Sequence, residues 1–247
     1  MINTQENKTP ETEEEKKLKK ENLKIKVIKA VKTFRYWRLT SISFLINFAI
    51  SFMINTGRTF GALIGINGNV LQFAGIIQML FTLILGPLLG ILVDKKGGLI
   101  ILRIVSFTCI LPSILLTFFM ENDFIFILCF VIYVLVITGL AVSSGPFIME
   151  VYGIQESVIL GGIISGLSKF GDVTTTVSAF SFSLICETDG QPDKTCLKQK
   201  YAIMYFISGV CCCLSSLLLM FEKQDKFTYG DEILNEEAPL NIELDNK

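Results

Sequence analysis

Apolar residues in this chain come in long continuous blocks, not in the alternation of a half-buried strand or the single stripe of a soluble helix. Six blocks stand out, at residues 39–57, 70–93, 99–120, 124–149, 158–186 and 201–221. A helix needs about 20 apolar residues to cross a bilayer, and each block supplies that length. Barrel strands alternate over about 10 residues, so the blocks predict membrane helices. Arg58 closes the first block. Residues 59–93 then run 35 positions without a charge, too long for one crossing. The Gly and Asn content of residues 61–69 reads as the loop between two spans. Asp94-Lys95-Lys96-Gly97-Gly98 stops the second span, and Glu121-Asn122-Asp123 separates the third from the fourth. Residues 187–200 form a polar loop before the sixth. The expected class is an all-α integral membrane protein with six transmembrane helices.

Charge sharpens that picture. The 247 residues carry 22 basic and 23 acidic side chains, a net charge of −1. Residues 1–38 hold 11 Lys/Arg and 6 Asp/Glu, residues 222–247 hold 3 and 8, and the 183 residues between share only 17. A water-soluble domain has roughly a quarter of its residues charged, so a soluble enzyme is excluded. Three segments follow: a charged, linker-like tail over 1–38, a transmembrane domain over 39–221 and an acidic tail over 222–247. With both tails on one side, that side collects 17 basic residues against 4 on the other. By the positive-inside rule both termini are expected in the cytoplasm. The basic tail interleaves Glu11, Glu13, Glu14 and Glu15 and abuts a span, so it reads as a solvated or lipid-surface segment, not a nucleic-acid arm. The first block starts 38 residues in and is not a signal peptide.

Histidine is absent, which removes imidazole ligands and Ser-His or Cys-His catalysis. No metal or cofactor is expected, and no catalytic constellation is visible. The seven cysteines contain no CxxC pair, and most sit in apolar runs as small hydrophobes, Cys211-Cys212-Cys213 among them. Cys186 and Cys196 bracket the last polar loop and can form a disulfide if that side is oxidising.

Lys169 is the leading functional candidate. It lies near the middle of the fifth block, where a charge costs about 2.5–3.5 kcal/mol on insertion scales and should face protein or water. Asp172 is three residues on, close enough to pair. Two readings stay open: a self-neutralising pair that makes the helix tolerable, or an anion-binding Lys modulated by its Asp. Asn47 and Asn55 in span one, Gln72 and Gln78 in span two and Tyr133 in span four are further cavity candidates, though such residues more often make a helix–helix hydrogen bond than a ligand contact. Gly86 and Gly90, and again Gly162 and Gly166, are four apart and predict strips for close helix approach.

Gly90-x-x-x-Asp94-Lys95-x-Gly97, between spans two and three, resembles the cytoplasmic loop signature of major facilitator superfamily transporters. Asp94 there is placed to cap the next helix or meet a basic partner. Glu150-Val151-Tyr152-Gly153, between spans four and five, resembles the acidic-aromatic-Gly turn of the same family. Gly98 and Leu99 stand where two basic residues often follow. Span four has no charge and span five no Pro, so the resemblance is to the C-terminal six-helix half of the fold. Tyr36-Trp37-Arg38 and Asn55…Arg58-x-Phe60-Gly61 are similar to oxalate/formate antiporters and monocarboxylate porters. The resemblance implies transport by alternating access, with Lys169 matching the eleventh-helix Lys that binds a substrate carboxylate. The eighth-helix Arg of oxalate carriers has no counterpart in residues 70–93, which favours a single-carboxylate solute. It further implies a coupling proton or exchanged anion, a lipid bilayer, and a second six-helix half or a second copy as partner. The rival expectation is a non-transporting membrane partner or regulator.

Overall fold

The computed structural model describes residues 13–188 and 191–222. Eight helices account for nearly all of them: α1 Glu13–Val31, α2 Phe34–Ile64, α3 Gly68–Lys96, α4 Gly98–Thr108, α5 Ile110–Phe119, α6 Asp123–Tyr152, α7 Ile154–Ile185 and α8 Lys194–Met220. Between α7 and α8, two-residue strands β1 Glu187–Thr188 and β2 Gln191–Pro192 pair antiparallel. The chain is thus an all-α fold. Five stretches (α2, α3, α4 with α5, α6 and α8) are long and apolar enough to cross a membrane, as a multi-pass protein requires.

Local chemistry sets the helix ends. Asn122 accepts from the Phe124 and Ile125 N–H groups at 3.0 and 3.1 Å, and Asp193 from Thr195 N–H at 2.9 Å, so each caps the helix that follows. Gly65, at φ 95°, closes α2 in a left-handed cap that a side chain would strain. The expected loop at residues 61–69 is therefore much shorter: α2 runs through Arg58 to Ile64, and only residues 65–67 connect it to α3. Likewise α8 begins at Lys194, inside the polar stretch expected as loop. The third span breaks at Cys109. Pro112 has no N–H and crowds the carbonyl four residues back, at Thr108, where α4 ends.

The helices pack in a recurring pattern. α2 lies along α7 and α8; α6 lies along α3 and along α4 with α5; α5 and α4 meet α8. Without a hydrophobic drive inside lipid, close packing and hydrogen bonds between helices hold such a bundle. Val105 of α4 packs into Gly139 of α6, where an added Cβ would lie 2.4 Å from its Cγ2. Ser106 of α4 bonds Ser215 of α8 at 2.8 Å, and Ser216 donates to Ser106 at 3.0 Å. Phe60 of α2 stacks on Tyr201 of α8 with centroids 3.8 Å apart.

The glycine strips expected from sequence do not pack. An added Cβ at Gly86, Gly162 or Gly166 would meet nothing within 4 Å, and one at Gly90 would meet only Val142, at 3.9 Å. Close approach between helices falls instead on Gly61, Gly75, Gly98, Gly139 and Gly171, no two of which are spaced at four. The charged N-terminal segment is not wholly a solvated linker either. The end of α1 packs Val27, Ala30 and Val31 against Tyr36, Tyr152, Ile148, Leu160 and Ile164, and Lys26 pairs with Glu156 at 3.6 Å.

Candidate functional site

A cleft of about 420 Å³ opens between α2, α6 and α7. Its polar wall comes from Ser43 and Asn47 of α2, Ser144 of α6, and Ser165, Ser168 and Lys169 of α7. Ile137, Leu140, Ile148 and Ile164 form the apolar remainder. The spacing explains the wall: Ser43 and Asn47 are one turn apart on α2, and Ser165, Ser168 and Lys169 share one face of α7.

Lys169 sits near the midpoint of the 32-residue α7, about 22 Å from either end at 1.5 Å per residue. Its ammonium donates to Asp172 Oδ2 at 2.8 Å. Ser51 of α2 donates to the other oxygen, Oδ1. Both carboxylate oxygens are thus engaged, while the ammonium has spent one of three donors. The Lys169 side chain is 65% exposed and that of Asp172 25%. Behind them Gly171 lies against the Phe48 backbone, and this contact lets Ser51 reach Asp172.

Several polar side chains nearby donate within their own helices. Ser168 donates to Ser165 O at 2.8 Å, Thr175 and Thr176 to Asp172 O at 2.9 Å, and Asn47 to Ser43 O at 2.9 Å. Such back-bonding satisfies a polar side chain within its own helix. Lys169 is the charged donor on the cleft wall.

The other expected site residues lie elsewhere. Tyr133 is fully buried and shares a 2.7 Å hydrogen bond with Ser113, tying α6 to α5 away from the cleft. Gln78 on α3 accepts from Arg58 Nη2 at 3.1 Å, and Asn55 is exposed on α2, three residues before that arginine. Gln72 is exposed on α3. An apolar run with a single polar residue does not say which neighbour that residue meets, so sequence could not sort these.

The two loop motifs meet. Gly97 at φ 87° and Gly153 at φ 84° each turn one helix directly into the next. Glu150 accepts from the Gly98 N–H at 3.3 Å, across the two turns. Gly98 packs so tightly that a Cβ would lie 2.8 Å from Phe147 N and Ser143 O. Asp94, expected to cap α4, does not: α4 has no side-chain cap, and Asp94, Lys95 and Lys96 are exposed. Glu150 from the second motif takes the place at the α4 start.

At the same end lies a charged cluster that hydropathy does not reveal. Glu222, expected as part of the acidic tail, is buried, and its carboxylate accepts from Arg35 Nε at 2.5 Å and from Arg38 Nη2. Arg103 of α4 donates to the carbonyls of Leu219 at 3.0 Å and Glu222 at 2.5 Å. The signal for it was three arginines next to span ends, which the positive-inside count absorbed. The rest of the tail lies outside the described residues. At the opposite end Cys186 and Cys196 form a disulfide. Cys109, Cys129 and Cys212 are buried free thiols, whereas Cys213 is exposed.

No family model matches the chain, and no curated protein or solved structure matches it significantly.

Proposed function

We propose that the chain is one six-helix half of a secondary transporter of the major facilitator type, and that it moves a small monocarboxylate by alternating access. The observation that carries this reading is Lys169. A half-spent ammonium at the centre of a long helix, on the rim of a polar cleft, is where a carboxylate substrate finds its counter-charge. On this reading α7 also crosses the membrane, as the fifth of six spans, despite its polarity, because Lys169 faces the cleft rather than lipid.

The packing pattern supports the architecture. The α2–α7 contact is repeated by α6–α3, and the α2–α8 contact by α6 with α4 and α5. Exchanging the first three spans for the last three leaves the pattern unchanged. Three is odd, so the two triplets run in opposite directions, as in the inverted repeats of transporter halves. The resemblance of the two loop motifs points the same way and favours the C-terminal half. The cytoplasmic termini fit the disulfide, which the positive-inside count puts on the opposite, oxidising side. A second half, from another copy or another chain, closes the open side of the cleft. Enzymatic chemistry has no place in this reading.

The ion pair favours one rival. Lys169 and Asp172 already neutralise each other, as they would in a membrane partner that transports nothing. Uptake of labelled lactate by liposomes holding the full chain separates the two. Transport predicts uptake that Lys169→Ala abolishes without lowering incorporation. Wild-type vesicles that take up nothing beyond empty-vesicle leakage leave the partner reading.

A further inference from the structure

Arg58 is the charge on α2 that neither the cleft nor the Glu222 cluster uses. α2 continues past it to Ile64, so it lies within the helix, not at its edge. An arginine on a lipid-facing surface would extend toward the nearer interface. This one does the reverse. Its guanidinium lies across Gly75 of α3, where an added Cβ would come within 2.7 Å of Nη2, and donates to Gln78. Gln78 is ten positions into α3, about 15 Å from the end where α2 and α3 connect. The guanidinium, on an exposed residue, therefore lies along α3 toward its middle, over a position that only glycine leaves vacant. Gln78 is neutral, and Arg58 makes no ion pair among the described residues. Most of its five donors are uncommitted.

A cation held at that depth must face water or an anion, since exposing it to hydrocarbon is costly. The polar residues of α2 connect it to the cleft: Ser43, Asn47 and Ser51 recur each turn, and Asn55 and Arg58 continue the series. Arg58 is 11 positions beyond Asn47, about 16 Å along the axis. A small carboxylate is only a few ångström across, so it cannot touch Lys169 and Arg58 at once.

We propose that Arg58 is a second anion site, between α2 and α3, that holds a carboxylate between the disulfide end of the bundle and Lys169. A guanidinium takes a carboxylate through two parallel N–H donors, a geometry that an ammonium does not offer. Asn55 and Gln78, singled out in the sequence as cavity residues, belong to this site and not to the Lys169 cleft. The transport role of the site rests on the reading above; the site itself does not.

The test uses the purified full chain in nanodiscs and in liposomes, with 13C-lactate as the probe. Two sites predict that wild type binds lactate with two components, that Arg58→Gln loses one of them, and that Lys169→Ala loses the other. In liposomes Arg58→Gln is expected to raise KM at least tenfold with the maximal rate within twofold. Arg58→Lys restores part of the loss, because charge returns without the fork. Gly75→Val keeps the arginine but displaces it, and is expected to behave like Arg58→Gln while circular dichroism stays unchanged. Lactate binding that is absent in wild type, or unaltered by Arg58→Gln and Gly75→Val, overturns the site. Loss of a binding component in Arg58→Gln by a wild type that takes up no lactate keeps the site and removes only transport.

Discussion

Gly171 of α7 lies so close to Phe48 of α2 that a Cβ at position 171 would stand 3.0 Å from the Phe48 amide nitrogen. The two helices therefore meet backbone to backbone just where Ser51 reaches Asp172. Substituting this glycine tests whether the contact positions the ion pair. Gly171→Val is expected to cost about 1–3 kcal/mol, the usual penalty for overpacking. Thermal unfolding of the chain in detergent measures it. Gly162→Ala and Gly166→Ala, inside α7 with open space around them, are expected not to lower the midpoint and to raise it slightly through better helix propensity.

The Lys169–Asp172 pair predicts strong coupling. Lys169→Met alone leaves a carboxylate near the middle of α7 with Ser51 as its remaining partner, and Asp172→Asn alone leaves an ammonium without its counter-charge. Each single change is expected to destabilise more than the double change, with a coupling of about 1–3 kcal/mol from a double-mutant cycle. Additive effects would show that the charges do not share their stabilisation.

Glu222 makes a sharper prediction. Its side chain is wholly buried between two arginines, so removing it leaves two guanidinium groups facing each other. Glu222→Ala is expected to cost about 3–5 kcal/mol, as for other broken buried pairs. It should also loosen the end of α8, which hydrogen exchange at residues 216–222 detects. A loss no larger than that of an exposed pair such as Lys198–Glu121 would show the carboxylate to be solvated.

The disulfide between Cys186 and Cys196 closes a short loop, with a sequence separation of 10. Loop-closure entropy for that length gives about 2–3 kcal/mol of stabilisation. Cys186→Ser is expected to lower the unfolding midpoint, and dithiothreitol to do the same to wild type but not to the variant. Mass spectrometry after alkylation would count two fewer blocked thiols in wild type before reduction than after it.

Much of this architecture is determined by local sequence. Whether a segment enters lipid depends on its own side chains, and five of the six apolar blocks form stretches long and apolar enough to cross a membrane, without reference to any neighbour. Helix ends also follow local chemistry, as the side-chain cap at Asn122 and the left-handed glycine at position 65 illustrate. Lys169 stood out for the same reason, since a charge at mid-span is costly wherever the helix packs. The pairing with Asp172 followed from spacing along one helix.

Tertiary structure decided what depends on residues far apart in the chain. Glu222 looks like the first residue of an acidic tail until Arg35 and Arg38, more than 180 positions away, surround it. Arg58 looks like the end of a span until Gly75 makes room for it on α3. Tyr133, Asn55 and Gln78 all read as polar residues in apolar runs, and packing sent Tyr133 to the core and Gln78 to Arg58 and left Asn55 exposed. The physical reason is the same in each case: hydropathy is a property of a segment, whereas the partner of a charge or a hydroxyl is set by which helix faces it. Lys169 and Asp172 were visible because they are their own partners; the cleft around them was not.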